Sequence, residues 1–309
     1  MRSKISPMIV ALAILSLVGA ARANTVSFVF EDGAETPVVG GTYTGTEDVQ
    51  ILSAFDDENN GGRPNFGVGT NNSPHPNASL TRPLLRFNDL DVLAGLLVTA
   101  ATLELTVSTV QKGSQSDIED NTVDAFQVFD TDWVEGINEY VNGDHGGLED
   151  RGVTWNRKNQ TNHDPLEGPM WNEPGLEEGT ERGTTVLGTF SYLKDDLPHQ
   201  EFFGTRIYSA DGVKFQLPFN ADGINVIQSW IDGAPIGGFY LKAQNDVVPA
   251  GGLNYYSREG GVLGNRPRLI LDVVPEPSTG LLLLGLGLGF GLKRPRLRRA
   301  ADRQDVLAR

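Results

Sequence analysis

The sequence predicts an all-β body, an antiparallel β-sandwich of the jelly-roll type with one short helix, set between two apolar ends. Three observations predict it: recurring short β-prone runs, turn-forming clusters between them, and a single stretch with helical spacing. The runs are Val26-Ser27-Phe28-Val29-Phe30, Val49-Gln50-Ile51-Leu52, Leu84-Leu85-Arg86-Phe87, Ala101 to Val107, Ala125 to Phe129, Val213 to Leu217 and Leu269 to Val273. Alternation in the fourth points Leu103, Leu105 and Val107 inward and Thr102, Glu104 and Thr106 outward. Clusters such as Asn59-Asn60-Gly61-Gly62-Arg63-Pro64 punctuate the runs, because Gly, Asn and Pro supply the dihedrals that turns need. Ile224, Ile227 and Ile231, with Val226 and Trp230, are spaced for a helix over Ala221 to Asp232, with Asn220 as its cap and Gly233 as its stop. No internal repeat or linker divides residues 24–274, which are expected to form one domain.

The ends have a different character. Arg2 and Lys4 precede an apolar run from Pro7 to Ala20, followed by Ala21-Arg22-Ala23. A basic start, a short apolar core and small residues at Ala21 and Ala23 define a signal peptide over 1–23, cut by signal peptidase to leave Asn24 first. At the other end, Pro275-Glu276-Pro277 precedes a Gly- and Leu-rich run to Leu292 and a cluster from Lys293 to Arg299. Segment 275–309 closely resembles the PEP-CTERM sorting signal. That resemblance implies a transmembrane sorting helix, processing by an exosortase, and delivery to the cell surface, outer membrane or extracellular matrix by way of the inner membrane. The apolar run of about 15 residues is short for a hydrocarbon core of about 30 Å, so snorkelling arginines or local thinning must make up the difference. The basic cluster keeps that end cytoplasmic and the body outside.

Between the two ends, residues 24–274 hold 15 basic and 37 acidic residues, a formal charge of −22. Such a surface repels phosphate backbones, which excludes nucleic acid, and it attracts divalent cations. There is no cysteine, so disulfides, thiol catalysis and Cys-ligated zinc are excluded. A body of about 250 residues can bury enough apolar surface without such cross-links.

Several short motifs occur in a fixed order: Arg82-Pro83-Leu84-Leu85-Arg86-Phe87, Val98 to Leu105, Trp133-Val134-Glu135-Gly136, Val153-Thr154-Trp155-Asn156, Val226 to Trp230, Gly238-Phe239-Tyr240-Leu241, Ser257-Arg258-Glu259 and Arg266-Pro267-Arg268-Leu269. The set resembles the DNRLRE (disaggregatase-related) domain family over about 230 residues. That resemblance implies a carbohydrate-binding β-sandwich, in some members associated with calcium.

The residues themselves point to chemistry in the long segment from Asp130 to Gly175, which holds Trp133, Trp155 and Trp171. Exposed indoles stack on sugar rings while a neighbour such as Asn156 bonds hydroxyls, so these four are the candidate ligand-binding residues. Trp133 and Trp155 equally suit plugs at one end of the sandwich, which leaves Trp171 as the better platform. Oxygen donors gather at Asp56, Asp57, Glu58 and Asn60, and again at Asp130, Asp132 and Glu135; both groups are candidate calcium sites, structural or bridging a ligand, or simply solvated loops. His145 and His163, with Asp144 or Asp164, form a weaker zinc candidate. Arg86, in an apolar strand, and Arg258, beside Glu259, suit partly buried ion pairs that pin strand register. No catalytic motif is present, so the expectation is a surface protein that binds extracellular polysaccharide without catalysis. The alternatives are a polysaccharide lyase or glycosidase and a biofilm-matrix or adhesion protein without a specific glycan. The sorting reading makes a direct prediction. Intact mass of the exported protein should correspond to a chain ending near Pro277, and a mass that retains Leu281 to Arg309 in the native host would overturn it.

Overall fold

A computed structural model describes residues 24–36, 40–54, 56, 59–71, 79–110, 119–136, 152–159, 168–202, 205–245 and 252–276. The expected signal peptide with Ala21 and Ala23, the tail from Pro277 onward, Asp57, Glu58, Asp144, His145, His163 and Asp164 lie outside the described residues. Among those described, no helix is long and apolar enough to cross a membrane.

The strands are β1 (Val26–Glu31), β2 (Glu35–Thr36), β3 (Gly41–Thr42), β4 (Thr46–Leu52), β5 (Asn65–Asn71), β6 (Ser79–Phe87), β7 (Leu96–Val110), β8 (Asn121–Gln127), β9 (Gly188–Tyr192), β10 (His199–Phe202), β11 (Thr205–Tyr208), β12 (Lys214–Pro218), β13 (Phe239–Ala243), β14 (Leu253–Tyr256) and β15 (Arg268–Pro275). Among the described residues one α-helix, α1, spans Ala221–Ile231. Eleven strands join in one hydrogen-bonded sheet in the order β1-β15-β7-β14-β5-β6-β13-β8-β9, with β12 on β7 and β4 on β6. The sheet curls because its two longest strands change partners along their length. On β6, Ser79 to Thr81 pair with β5 while Leu84 and Leu85 pair with β13, and on β7 the middle pairs with β12 and the end with β14. The pairing therefore establishes a mostly β, curled antiparallel architecture with one helix, which is coarser than the jelly roll expected from sequence.

The helix forms where its spacing places it. The Asn220 side chain accepts the Gly223 N–H at 3.0 Å, satisfying a donor that the first turn leaves orphaned, and Gly233 ends the helix at a φ of 96°. Its apolar stripe buries Ile227, Trp230 and Ile231, and the Trp230 ring meets Phe239 at 5.0 Å.

Two apolar clusters lie on opposite sides of the sheet. Leu85 and Phe87 of β6, Phe239 and Leu241 of β13 and Val123 and Ala125 of β8 face the main core. The alternate positions, Leu84, Tyr240 and Phe126, face the other way with Val49 and Ile51 of β4. A strand with both faces apolar must be covered twice, and the second cover is the segment after β8, through Trp133, Val153, Trp171 and Leu176. The inward set on β7 is as expected, with Leu103, Leu105 and Val107 buried, but Glu104 and Thr106 are buried too. Glu104 is compensated by Lys214 and Arg268, each at 2.9 Å, because β12 and β15 flank its strand. Replacing Trp133, which is fully buried in the second cluster, with alanine should cost about 3–5 kcal/mol in urea denaturation, a loss that a solvent-facing indole would not produce.

Candidate functional site

The covering segment is held down by cations that reach through it. Arg86 on β6 donates to the carbonyls of Thr131 (3.0 Å) and Trp133 (3.2 Å), pairs with Glu47 on β4, and lies 4.3 Å from the Trp133 ring centroid. The Trp133 indole N–H donates to Gly237 O at 2.7 Å, so both its face and its polar tip are occupied. Trp171 is only 3% exposed; its indole N–H donates to Thr154 O at 3.0 Å and the Lys158 ammonium lies 5.5 Å from its ring. Trp155 is half-buried and packs against Gly175, whose φ of 82° and lack of a side chain let the indole approach. Asn156 is half-buried; its backbone N–H donates to Asp56 O and its carbonyl accepts the Trp171 backbone N–H. The sequence placed a sugar platform on Trp171. The structure instead uses its ring and that of Trp133 as the covering layer, because the outer face of β4, β6, β8 and β13 is apolar and needs one.

The acidic candidates are also regrouped. Asp130 pairs with Lys158 at 2.5 Å and accepts the Asp132 N–H, while Asp132 itself is exposed. Glu135 turns away from both, into the sheet. Its Oε1 accepts the Asp48 N–H at 2.6 Å and its Oε2 meets Arg258 at 2.6 Å. Arg258 also pairs with Glu259 at 2.5 Å and donates to Thr46 O, and its N–H donates to Asp48 Oδ2. Among the described residues, Asp48, Glu135 and Glu259 are the one carboxylate trio close enough to share a cation, with ligand atoms within 4.8 Å of one another. The Arg258 guanidinium already sits among them. From the first loop, Asp56 is exposed and Asn60 is buried.

Burial, then mutual repulsion, raises the carboxyls of Asp48 and Glu135, that of Glu135 to about 9, with Arg258 opposing the rise; burial likewise raises Glu259. Sequence reasoning assigned neither Asp48 nor Glu259 to this cluster. The available signal was an aspartate directly before the β-prone run Val49 to Leu52.

The surface has an open cleft of about 400 Å³ elsewhere, where the end of β8 meets the 179–187 stretch and the first turns of α1. Phe129 is the aromatic on its wall, 46% exposed, fixed by its N–H to Glu181 O at 2.8 Å. Gln127, Thr184, Thr185, Asp222 and Asn225 surround it with amide, hydroxyl and carboxylate groups. Asp222 and Asn225 stand three apart on one helix face, and the sequence analysis singled out neither.

Compared with known families, residues 273–296 match the PEP-CTERM protein-sorting motif. No curated protein matches the chain. The motif marks an exported protein that is sorted through an exosortase to the cell surface.

The carboxyl cluster gives a pH prediction. Groups whose folded pKa is raised favour the native state below their unfolded pKa, near 4.5 for Glu135, and that contribution is lost as pH rises towards about 9. Urea denaturation at pH 5 and pH 9 should show a smaller loss of stability in Glu135→Gln than in the wild type, and an unchanged difference would mean that the cluster does not titrate in this range.

Proposed function

We propose that this exported, exosortase-sorted protein binds an extracellular polysaccharide at the Phe129 cleft without cleaving it, on a scaffold related to the jelly roll. The observation that carries the reading is the cleft itself: an exposed aromatic face ringed by hydrogen-bonding side chains, on the end of a strand and the first turns of a helix. Aromatic faces stack on the apolar faces of sugar rings, and neutral amide and hydroxyl groups match sugar hydroxyls. Asp222 is the sole carboxylate among the described residues that line it. Glycoside hydrolysis by the common routes uses two carboxylates at a set separation, which favours binding over cleavage there. The ordered motifs that resemble DNRLRE domains, and a sorting tail that delivers the body to the surface, point towards the same class of ligand. The formal charge of −22 disfavours acidic polymers unless calcium bridges them.

Retention on the host's own matrix polysaccharide tests this directly. Phe129→Ala should weaken binding by about 1 kcal/mol or more with the fold intact, whereas Trp171→Ala should act through stability. The assay is run with millimolar calcium and with chelator, which separates a neutral glycan from a calcium-bridged acidic one, and alongside reducing-sugar release. A folded body that retains no glycan in either condition, or one that releases sugar ends, would overturn the reading.

A further inference from the structure

The two ends of the body leave it side by side. β1 and β15 are antiparallel neighbours in a register that runs from Val26↔Val273 to Glu31↔Arg268. That register reaches Val273, two residues before Pro275, where the sorting motif opens. β7 lies on the other side of β15. Arg268 reaches Glu104 at 2.9 Å while the Thr99 hydroxyl donates to Asp272 O at 3.1 Å, so β7 runs antiparallel and begins at this same end. Two large apolar side chains that the body leaves exposed belong to this end, Val26 on β1 and Leu97 on β7.

The chain allows little freedom here. From Pro275 to Leu281, within the apolar run, even a fully extended chain covers only about 20 Å. β15 is itself about 23 Å long. A second exposed apolar pair, Val262 and Leu263, stands before the opposite end of β15 and is more exposed, at 73% and 58%. On exposure alone it would be the better lipid contact, but the strand's length separates it from the sorting motif.

We propose that the end of the sheet formed by the start of β1, the start of β7 and the last residues of β15 faces the phospholipid surface of the inner membrane while the precursor awaits sorting. Val26 and Leu97 meet the headgroup region, and Val262 points away from it. Tethering supplies the orientation, since the acidic body has no net attraction to an anionic surface. After the signal peptide is removed, the exosortase meets its motif directly beside an edge strand, with no spacer from the folded body.

The chain contains no cysteine, so Val26→Cys, Leu97→Cys and Val262→Cys each create a single labelling site in the full-length precursor. The labelled precursor, from a host lacking the exosortase, is reconstituted in phosphatidylethanolamine and phosphatidylglycerol vesicles carrying a headgroup nitroxide. Dyes at 26 and 97 should lose most of their fluorescence and the dye at 262 should keep it. Quenching at 262 alone, equal quenching at all three, or none at any would overturn the proposal. Near-ultraviolet circular dichroism checks each fold, and Thr25→Cys, in the exposed stretch before β1, replaces any Val26 variant that fails to fold.

Discussion

The guanidinium of Arg86 stands in an apolar strand and satisfies four groups at once, which is what allows a long irregular segment to serve as the second cover of the sheet. It closes the backbone carbonyls of Thr131 and Trp133, neutralises Glu47 on the neighbouring strand, and presents its face to the Trp133 ring. A planar cation with five donors is suited to such a place, where a lysine would satisfy one or two groups and leave carbonyls buried without partners. Removing it would leave Glu47 and two carbonyls uncompensated at the seam, a cost larger than the net worth of the ion pair. Arg86 thus acts with Gly237, which accepts the indole N–H, to set the position of Trp133 and the path of the segment towards Glu135.

Glu135 continues that path into a second, differently balanced contact. Three carboxyls, Asp48, Glu135 and Glu259, converge on Arg258, so one cation faces more negative charge than it can neutralise. The excess is met by burial raising the carboxyl affinities for protons. Asn59 adds a rigid element, donating from its amide to Glu135 O at 2.7 Å and Val153 O at 2.9 Å, so that three chain segments cross within one turn's width. Gly61 and Gly152 fit that crossing because a methyl on either would collide with backbone at Glu135 and Gly136. The expectation of calcium on Asp130, Asp132 and Glu135 treated neighbours in sequence as neighbours in space, whereas Asp130 pairs with Lys158 and Glu135 with Arg258 and the Asp48 N–H.

Strand identity was legible because alternation is a local property. The capped helix was read correctly from Asn220 to Gly233, and the runs in β1, β4, β6, β7 and β15 fall within observed strands, while those in β8 and β12 overrun them at Val128-Phe129 and at Val213. Harder to see were strands built from small or polar residues, such as β5 with its Asn-Phe-Gly-Val-Gly-Thr-Asn sequence, where pairing with β6 and β14 overrides weak propensity. The place of Trp171 was hidden for a related reason. Whether an indole in a long segment is a platform or a cover depends on what lies opposite, and that information sits on the other parity of distant strands. The consecutive pair Leu84-Leu85 was a usable signal, since a strand apolar on both faces requires cover on both. The cleft was less legible, because Gln127, Phe129, Thr184, Asp222 and Asn225 come from three separate stretches that share no local pattern.

An exported body without disulfides must hold its irregular cover by packing and charge alone. With 15 basic residues against 37 acidic, cations are scarce, so where they lie matters. Arg86, Arg182 and Arg258 lie at the seam between the cover and the sheet, and Arg157 and Lys158 tie the cover to itself and to the stretch that follows it. Arg157 closes Gly168 O at 2.8 Å, Lys158 joins Asp130 and Glu181, and Arg182 pairs with Glu178 while lying 5.1 Å from the Tyr240 ring. Because these contacts are largely buried, salt screens them much less than it screens the acidic exterior. Added salt therefore relieves the self-repulsion of the surface while leaving the seam nearly intact. The uneven placement of charge thus lets one chain combine a strongly acidic exterior with a firmly closed second core, and the rigid edge of that core is what holds Phe129 at the cleft.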